Sequence, residues 1–271
     1  MIRAPLSITS VLDETAEAVS LAAAPWSAFV ILTSIPYRFL QVLFIDRLAE
    51  LGSDAAHYGR LLGTTANWTL VAFIVSLWGR AVWARACRMA ATTGARPGAA
   101  ALRVPLVAFV SYLFTASIAE VLFYGTMLTF IGPIVVVLFA GLAIGTMELN
   151  DEVSVRKPLR LIARYAREVR TEFGVAFVFG IGLLIALVNL ATAFDLGLWL
   201  ARGFGTADIG RWNLLISMGN RVMRLLLYAG TILAVEPFWV AANVVLVRKA
   251  GAAESGEELR TWFRELQEER S

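Results

Sequence analysis

Long apolar stretches constrain this chain more than any other feature, because five or six of them are long enough to cross a bilayer as helices. Hydrophobic residues make up 58% of the 271, so most of the apolar surface must face lipid or neighbouring spans. The expected fold is all-α: a polytopic transmembrane helical bundle of about six spans with amphipathic interfacial helices. Residues 1–271 read as a single integral membrane domain. The spans are expected over residues 26–45, 66–82, 105–127, 134–147, 175–198 and 225–247. The fourth is short for a hydrocarbon core, so it either borrows residues 129–131 or lets Glu148 reach the interface. The weakest boundary lies between spans three and four, where a hairpin must turn within residues 130–133.

Between the spans the chain turns polar. Residues 1–23 carry Asp13, Glu14 and Glu17 and lack the basic start of a secretory signal. Ser10 followed by Asp13 predicts a capped amphipathic lead-in along the cytoplasmic interface, passing through Pro25 and Trp26 into span one. Pro36 is a candidate kink. His57 and Arg60 fall in a polar connector. Residues 148–173 interleave apolar positions with Arg156, Lys157, Arg160, Arg164, Arg167 and Arg170, which predicts a basic amphipathic helix able to contact membrane lipids. Residues 201–213 form an outer link that could hold a short helix. The charged tail, 255–271, has an apolar stripe of Leu259, Trp262, Phe263 and Leu266, suited to a protein partner.

Basic residues set the expected orientation. The regions at and after the ends of spans two, four and six hold most of the Arg and Lys, whereas the opposite side has Arg47, Arg60, Arg202 and Arg211. The positive-inside rule then places both termini in the cytoplasm, consistent with six crossings. A formal net charge of +3 would suggest nucleic acid in a soluble chain; here it reads as topology, so no nucleic acid is expected.

Chemistry in such a chain must be sought among ionisable groups at membrane depth, where an isolated charge is costly. Arg38 in span one and Glu120 in span three lie at similar depth, and they are the preferred ion pair. Glu236 sits mid-span before Pro237, where it could face water or Arg80 reaching inward. Arg221 and Arg224 share a face near the outer entrance of span six, with Asp195 a reasonable counter-charge. For each, a structural ion pair or snorkelling to the interface is the simpler account than binding. Asn67, Asn189 and Asn243 read as interhelical hydrogen-bond groups.

No catalytic residue, metal ligand set or cofactor site can be assigned. His57 is the sole histidine and Cys87 the sole cysteine, so familiar metal sites and internal disulfides are excluded. Neither a nucleophile elbow nor a phosphate-cradling loop occurs. Gly180-Ile181-Gly182 and Gly203-Phe204-Gly205 lack nucleotide-binding context. Gly180, Ala186 and Ala191 would permit close helix approach, as would the pair in Gly141-Leu142-Ala143-Ile144-Gly145, either within the bundle or in a dimer.

The run Val235-Glu236-Pro237-Phe238-Trp239-Val240-Ala241-Ala242, followed by Arg248 and the charged tail, resembles the terminal segment of uncharacterised bacterial multispan inner-membrane proteins found beside transglutaminase-like envelope proteins. The layout of residues 156–170 before another span resembles the broader group related to the membrane domain attached to some glycerophosphodiester phosphodiesterases. These resemblances imply a bacterial cell inner membrane location and leave the reaction open, since no soluble phosphodiesterase segment is read in this chain. The expected role is a noncatalytic membrane scaffold or accessory subunit that contacts anionic lipid and an envelope-protein partner or a second copy of itself. A small-solute or lipid transporter, with Arg38, Glu120 and Glu236 lining a polar route, is the alternative. A membrane enzyme comes third.

Overall fold

The computed structural model describes residues 6–50, 55–126, 129, 131–149, 156–203 and 220–255. Seven α-helices occur among them: α1 (Ile8–Glu50), α2 (Ala55–Thr93), α3 (Leu106–Thr126), α4 (Gly132–Gly145), α5 (Arg156–Tyr165), α6 (Val169–Gly203) and α7 (Arg221–Ser255). Short 3-10 turns lie at Ala99–Leu102, Met147–Leu149 and Ala166–Glu168, and no strand occurs among the described residues. Five helices carry apolar segments long enough to span a bilayer: Pro25–Ile45, Gly63–Thr93, Leu106–Thr126, Arg170–Leu200 and Val222–Ala252. The chain is thus an all-α, multi-pass membrane protein. α4, where the fourth of the six spans was expected, is apolar but has only 14 residues, about 21 Å of helix against a hydrocarbon core of about 30 Å.

The helices divide into two compact units. Unit 1 holds Met1–Trp26, Ala81–Phe177 and Phe238–Ser271; unit 2 holds Ser27–Arg80 and Val178–Pro237. In unit 1 the first part of α1 buries Val11, Thr15, Ala18 and Ala22, a spacing of four, three and four that keeps one helical face inward. α3 and α4 form a hairpin, with Thr129 accepting from the Gly132 amide at 3.1 Å and Pro133 in the first turn of α4, where its missing N–H costs nothing. The small faces of α4 and α7 meet closely. A Cβ on Gly141 would lie 2.5 Å from Asn243 Oδ1, and one on Gly145 2.6 Å from the Asn243 carbonyl oxygen. The GxxxG pair therefore serves an internal contact, and Asn243 donates to the Trp239 carbonyl of its own helix at 2.9 Å. α5 rests on α3 and α4, burying Pro158, Ile162 and Tyr165. Gly94 ends α2 with φ +62°, its amide bonded to the Ala90 carbonyl at 2.9 Å, the left-handed stop that glycine adopts most readily.

Unit 2 is built on tight contact between α1 and α2. Ser34 and Ser76 share a hydrogen bond of 3.2 Å, the rings of Phe29 and Trp78 meet edge to face at 5.2 Å, and the space a Cβ would need at Gly79 is filled by Thr33. α6 meets α7 where Leu190 approaches Gly230. Asn220 caps α7, its Oδ1 accepting from the Val222 amide at 2.8 Å, as an N-cap side chain does.

Several local expectations change. The lead-in 1–23 is not a separate helix capped at Ser10: α1 starts at Ile8, where the Val11 amide bonds to the Ser7 carbonyl at 3.2 Å, and it continues through Pro25 and Pro36 to Glu50. Each proline removes one ladder bond, which a long helix in an apolar setting tolerates. His57 and Arg60 belong to the backbone of α2 rather than to a connector, and α2 continues past Arg85 and Arg88. The basic segment 148–173 is not one helix. α5 gives way to a 3-10 turn before α6, and three residues at 120° rather than 100° advance the face by about 60°. That advance keeps Tyr165, Thr171, Glu172 and Val175 on one buried side. The α3–α4 turn comes earlier than residues 130–133, because α3 already ends at Thr126 and α4 starts at Gly132. Residues 204–213 of the outer link and 256–271 of the tail lie outside the described residues.

The α4–α7 contact predicts a sharp contrast between glycines. Gly145→Ala should lower the midpoint of thermal unfolding in mild detergent by an amount equivalent to about 1–3 kcal/mol, since its methyl group collides with backbone. Gly180→Ala, with open space at its Cβ, should be neutral or stabilising through helix propensity. Equal midpoints for the two variants would contradict the packing described.

Candidate functional site

Three apolar helices of unit 2 each deliver one charge to the same place. α1 supplies Arg38, α2 supplies Arg80 and α7 supplies Glu236. Arg38 Nε donates to Glu236 Oε2 at 2.8 Å, while Arg80 Nε pairs with Glu236 Oε1. The Glu236 side chain is 4% exposed and the arginines 16% and 13%. Such a group could not stay ionised alone among apolar helices, but a carboxylate between two guanidinia is compensated at both oxygens.

The surrounding residues hold that geometry. Tyr37 is buried beside Arg38, and its ring lies 5.1 Å from the Arg38 guanidinium carbon and 5.4 Å from that of Arg80, within cation–π range of both. The Phe73 ring packs on Tyr37 at 5.2 Å. Arg38 Nη1 donates to Gln41 Oε1 at 2.7 Å, one helical turn on. Pro237 lies inside α7 directly after Glu236, so the carbonyl four residues before it has no ladder donor.

The carboxylate that Arg38 reaches is therefore Glu236, not Glu120. Glu120 is half-buried on α3 and belongs to unit 1. Equal depth along two helices made Glu120 the preferred partner, but depth does not say which helices adjoin. Arg80 does extend to Glu236. Asp195 is exposed on α6 and Arg224 half-buried on α7; the Arg221 side chain lies outside the described residues.

Unit 1 repeats the motif of one carboxylate held by two cations. Glu148, expected to reach the interface, accepts from Arg85 at 2.7 Å and faces Arg88 at 3.4 Å. Glu14 pairs with Arg248 and takes Lys249 at 2.7 Å, joining the first part of α1 to the last part of α7. A groove beside it is lined by Asp13, Glu14 and Glu17 of α1, Ala90 and Gly94 at the end of α2, and Arg248. Glu172 is fully buried in the first turn of α6, and its Oε1 makes no hydrogen bond among the described residues. Tyr37, Gln41, Glu14 and Glu172 were missed in the sequence. Of these, Gln41 had a detectable signal, since it lies three residues after Arg38 and so shares its helical face.

The basic residues separate by exposure. Arg156, Arg160 and Arg164 are exposed on α5, opposite its buried Pro158, Ile162 and Tyr165, and Arg170 is exposed on α6; Lys157 is half-buried. The Arg167 side chain lies outside the described residues. α5 thus presents guanidinia outward from a helix anchored through its apolar side.

No protein family, curated protein or solved structure matches the chain.

The two-to-one charge ratio orders the effects of substitution. Glu236→Gln leaves two buried guanidinia facing a neutral amide and should cost about 3–5 kcal/mol. Arg38→Leu or Arg80→Leu leaves one intact pair and should cost less. Thermal unfolding in lipid nanodiscs checks the order; an arginine variant less stable than Glu236→Gln would refute it.

Proposed function

We propose that this chain is a noncatalytic scaffold or accessory subunit of a bacterial inner membrane, with both termini in the cytoplasm, that binds anionic lipid headgroups through α5. The outward face of α5 carries the reading: Arg156, Arg160 and Arg164 are exposed while the opposite side is fastened to α3 and α4. A fixed helix presents its cations without the ordering cost of a free amphipathic segment, and each cation near an anionic surface contributes about 1 kcal/mol.

Two observations support the orientation. Glu14 is tied to Arg248 and Lys249, which favours the two ends of the chain sharing one side. Arg85, Arg88 and all of α5 belong to the same unit as that tie, and clustered basic residues mark the cytoplasmic side. The charges at membrane depth favour a scaffold over a transporter. Arg38, Arg80 and Glu236 close on one another, and a carboxylate 4% exposed is poorly placed to line a wetted route.

The test compares lipid retention. Native mass spectrometry of protein extracted from vesicles of mixed phosphatidylglycerol and phosphatidylcholine should show phosphatidylglycerol enriched on the unaltered chain. The combined variant Arg156→Gln, Arg160→Gln, Arg164→Gln should bring bound lipid close to the bulk ratio. Retention of the same enrichment would remove α5 from the proposal, and measurable solute flux in the same vesicles would move transport ahead of scaffolding.

A further inference from the structure

α6 is the least covered of the long helices: 6% of its most apolar window is buried, against 67% for that of α7. Along its open side run Val178, Gly182, Ile185, Asn189, Thr192 and Leu196, spaced alternately by four and three. That alternation is the seam by which one helix packs along another. Five of the six side chains are exposed, and a Cβ on Gly182 would meet nothing within 4 Å. Lipid can cover the apolar members. It cannot satisfy Asn189, whose amide is exposed on a spanning segment where hydrocarbon offers neither donor nor acceptor.

We propose that this seam is closed by α6 of a second copy of the chain, the two Asn189 side chains hydrogen-bonding to each other across a two-fold axis. Two copies inserted with one topology present α6 in parallel, so Asn189 meets Asn189 at the same depth. A carboxamide is donor and acceptor at once and therefore self-complementary, as an interface between identical surfaces requires. The seam carries no formal charge, so pairing it with itself brings no repulsion. Asp195 lies six residues beyond Asn189, about 240° around the helix at 100° per residue, which keeps the two acidic groups off the axis. Gly182 lets the backbones approach. This inference is independent of lipid binding by α5.

Disulfide crosslinking of the full chain in liposomes tests it, with Cys87→Ala removing the native thiol. Ile185→Cys and Leu196→Cys, on the seam, should oxidise to dimers several-fold faster than Leu184→Cys, which is also exposed but lies about 140° around the helix from Asn189 at 100° per residue. Adding Asn189→Leu should weaken the dimer about 3- to 10-fold, read as the lipid dilution at which crosslinking halves. Because Asn189 is exposed, that variant should keep its unfolding midpoint; if it does not, the comparison of thiol positions on the otherwise native chain still decides. Equal crosslinking on all faces, or a purified chain that stays monomeric at every dilution, would overturn the second copy as occupant. The latter result would assign the seam to a different protein.

Discussion

Unit 2 depends on a carboxylate that cannot exist there alone. Glu236 lies among apolar residues of α7, where an unpaired charge would cost several kcal/mol, and its two oxygens are met by Arg38 and Arg80. Each arginine is itself a burden at that depth, and both depend on the one carboxylate for compensation. Mutual dependence joins helices that are far apart in the chain. Tyr37 beneath both guanidinia and Gln41 on Arg38 fix directions as well as compensating charge. Close contact makes the geometry attainable, because Gly79 and the Ser34–Ser76 pair bring α1 and α2 near enough for Arg38 and Arg80 to reach one carboxylate.

The same arrangement recurs with diminishing burial. Glu236 is almost fully enclosed, Glu148 between Arg85 and Arg88 less so, and Glu14 between Arg248 and Lys249 less again. Desolvation sets what each is worth. The enclosed cluster makes its helices interdependent, since removing Glu236 strands both arginines and removing either arginine leaves the carboxylate with a single partner. The partly exposed pairs contribute modestly to stability but give register, holding the start of α1 to the end of α7 and the end of α4 to α2.

How much of this was legible in the sequence follows from what each signal encodes. Apolar run length placed α3 within a residue at either end and located the cores of α6 and α7, because lipid selects for composition over about twenty residues. It also revealed that α4 was short. Boundaries failed where polar residues continue a helix instead of ending it: His57 and Arg60 fall inside α2, and Arg85 and Arg88 extend it, because hydrogen bonding within a helix is indifferent to which side chains face out. At the site, Arg38, Arg80 and Glu236 were identifiable one by one, since charges inside apolar runs are conspicuous. Their grouping was only half legible. Arg80 was considered for Glu236, but Arg38 was matched to Glu120 by depth, and sequence has no coordinate for which helices are neighbours. Glu172 escaped notice because it stands among basic residues, where a carboxylate looks like surface.

Polarity at membrane depth is resolved in two ways in this chain, and the difference follows from charge. An ionised group demands compensation before insertion is tolerable, so Glu236 is satisfied within its own fold and cannot wait for a partner. A neutral carboxamide carries a far smaller penalty, comparable to one or two hydrogen bonds. Asn189 can therefore remain on an open face while the chain is alone and gain its partner on association. Interhelical amide bonds in membranes are modest in strength, so a seam built on one asparagine yields an assembly that responds to protein density in the bilayer. The charged cluster is satisfied within one chain, whereas the proposed Asn189 pairing would make the contacts of α6 depend on concentration.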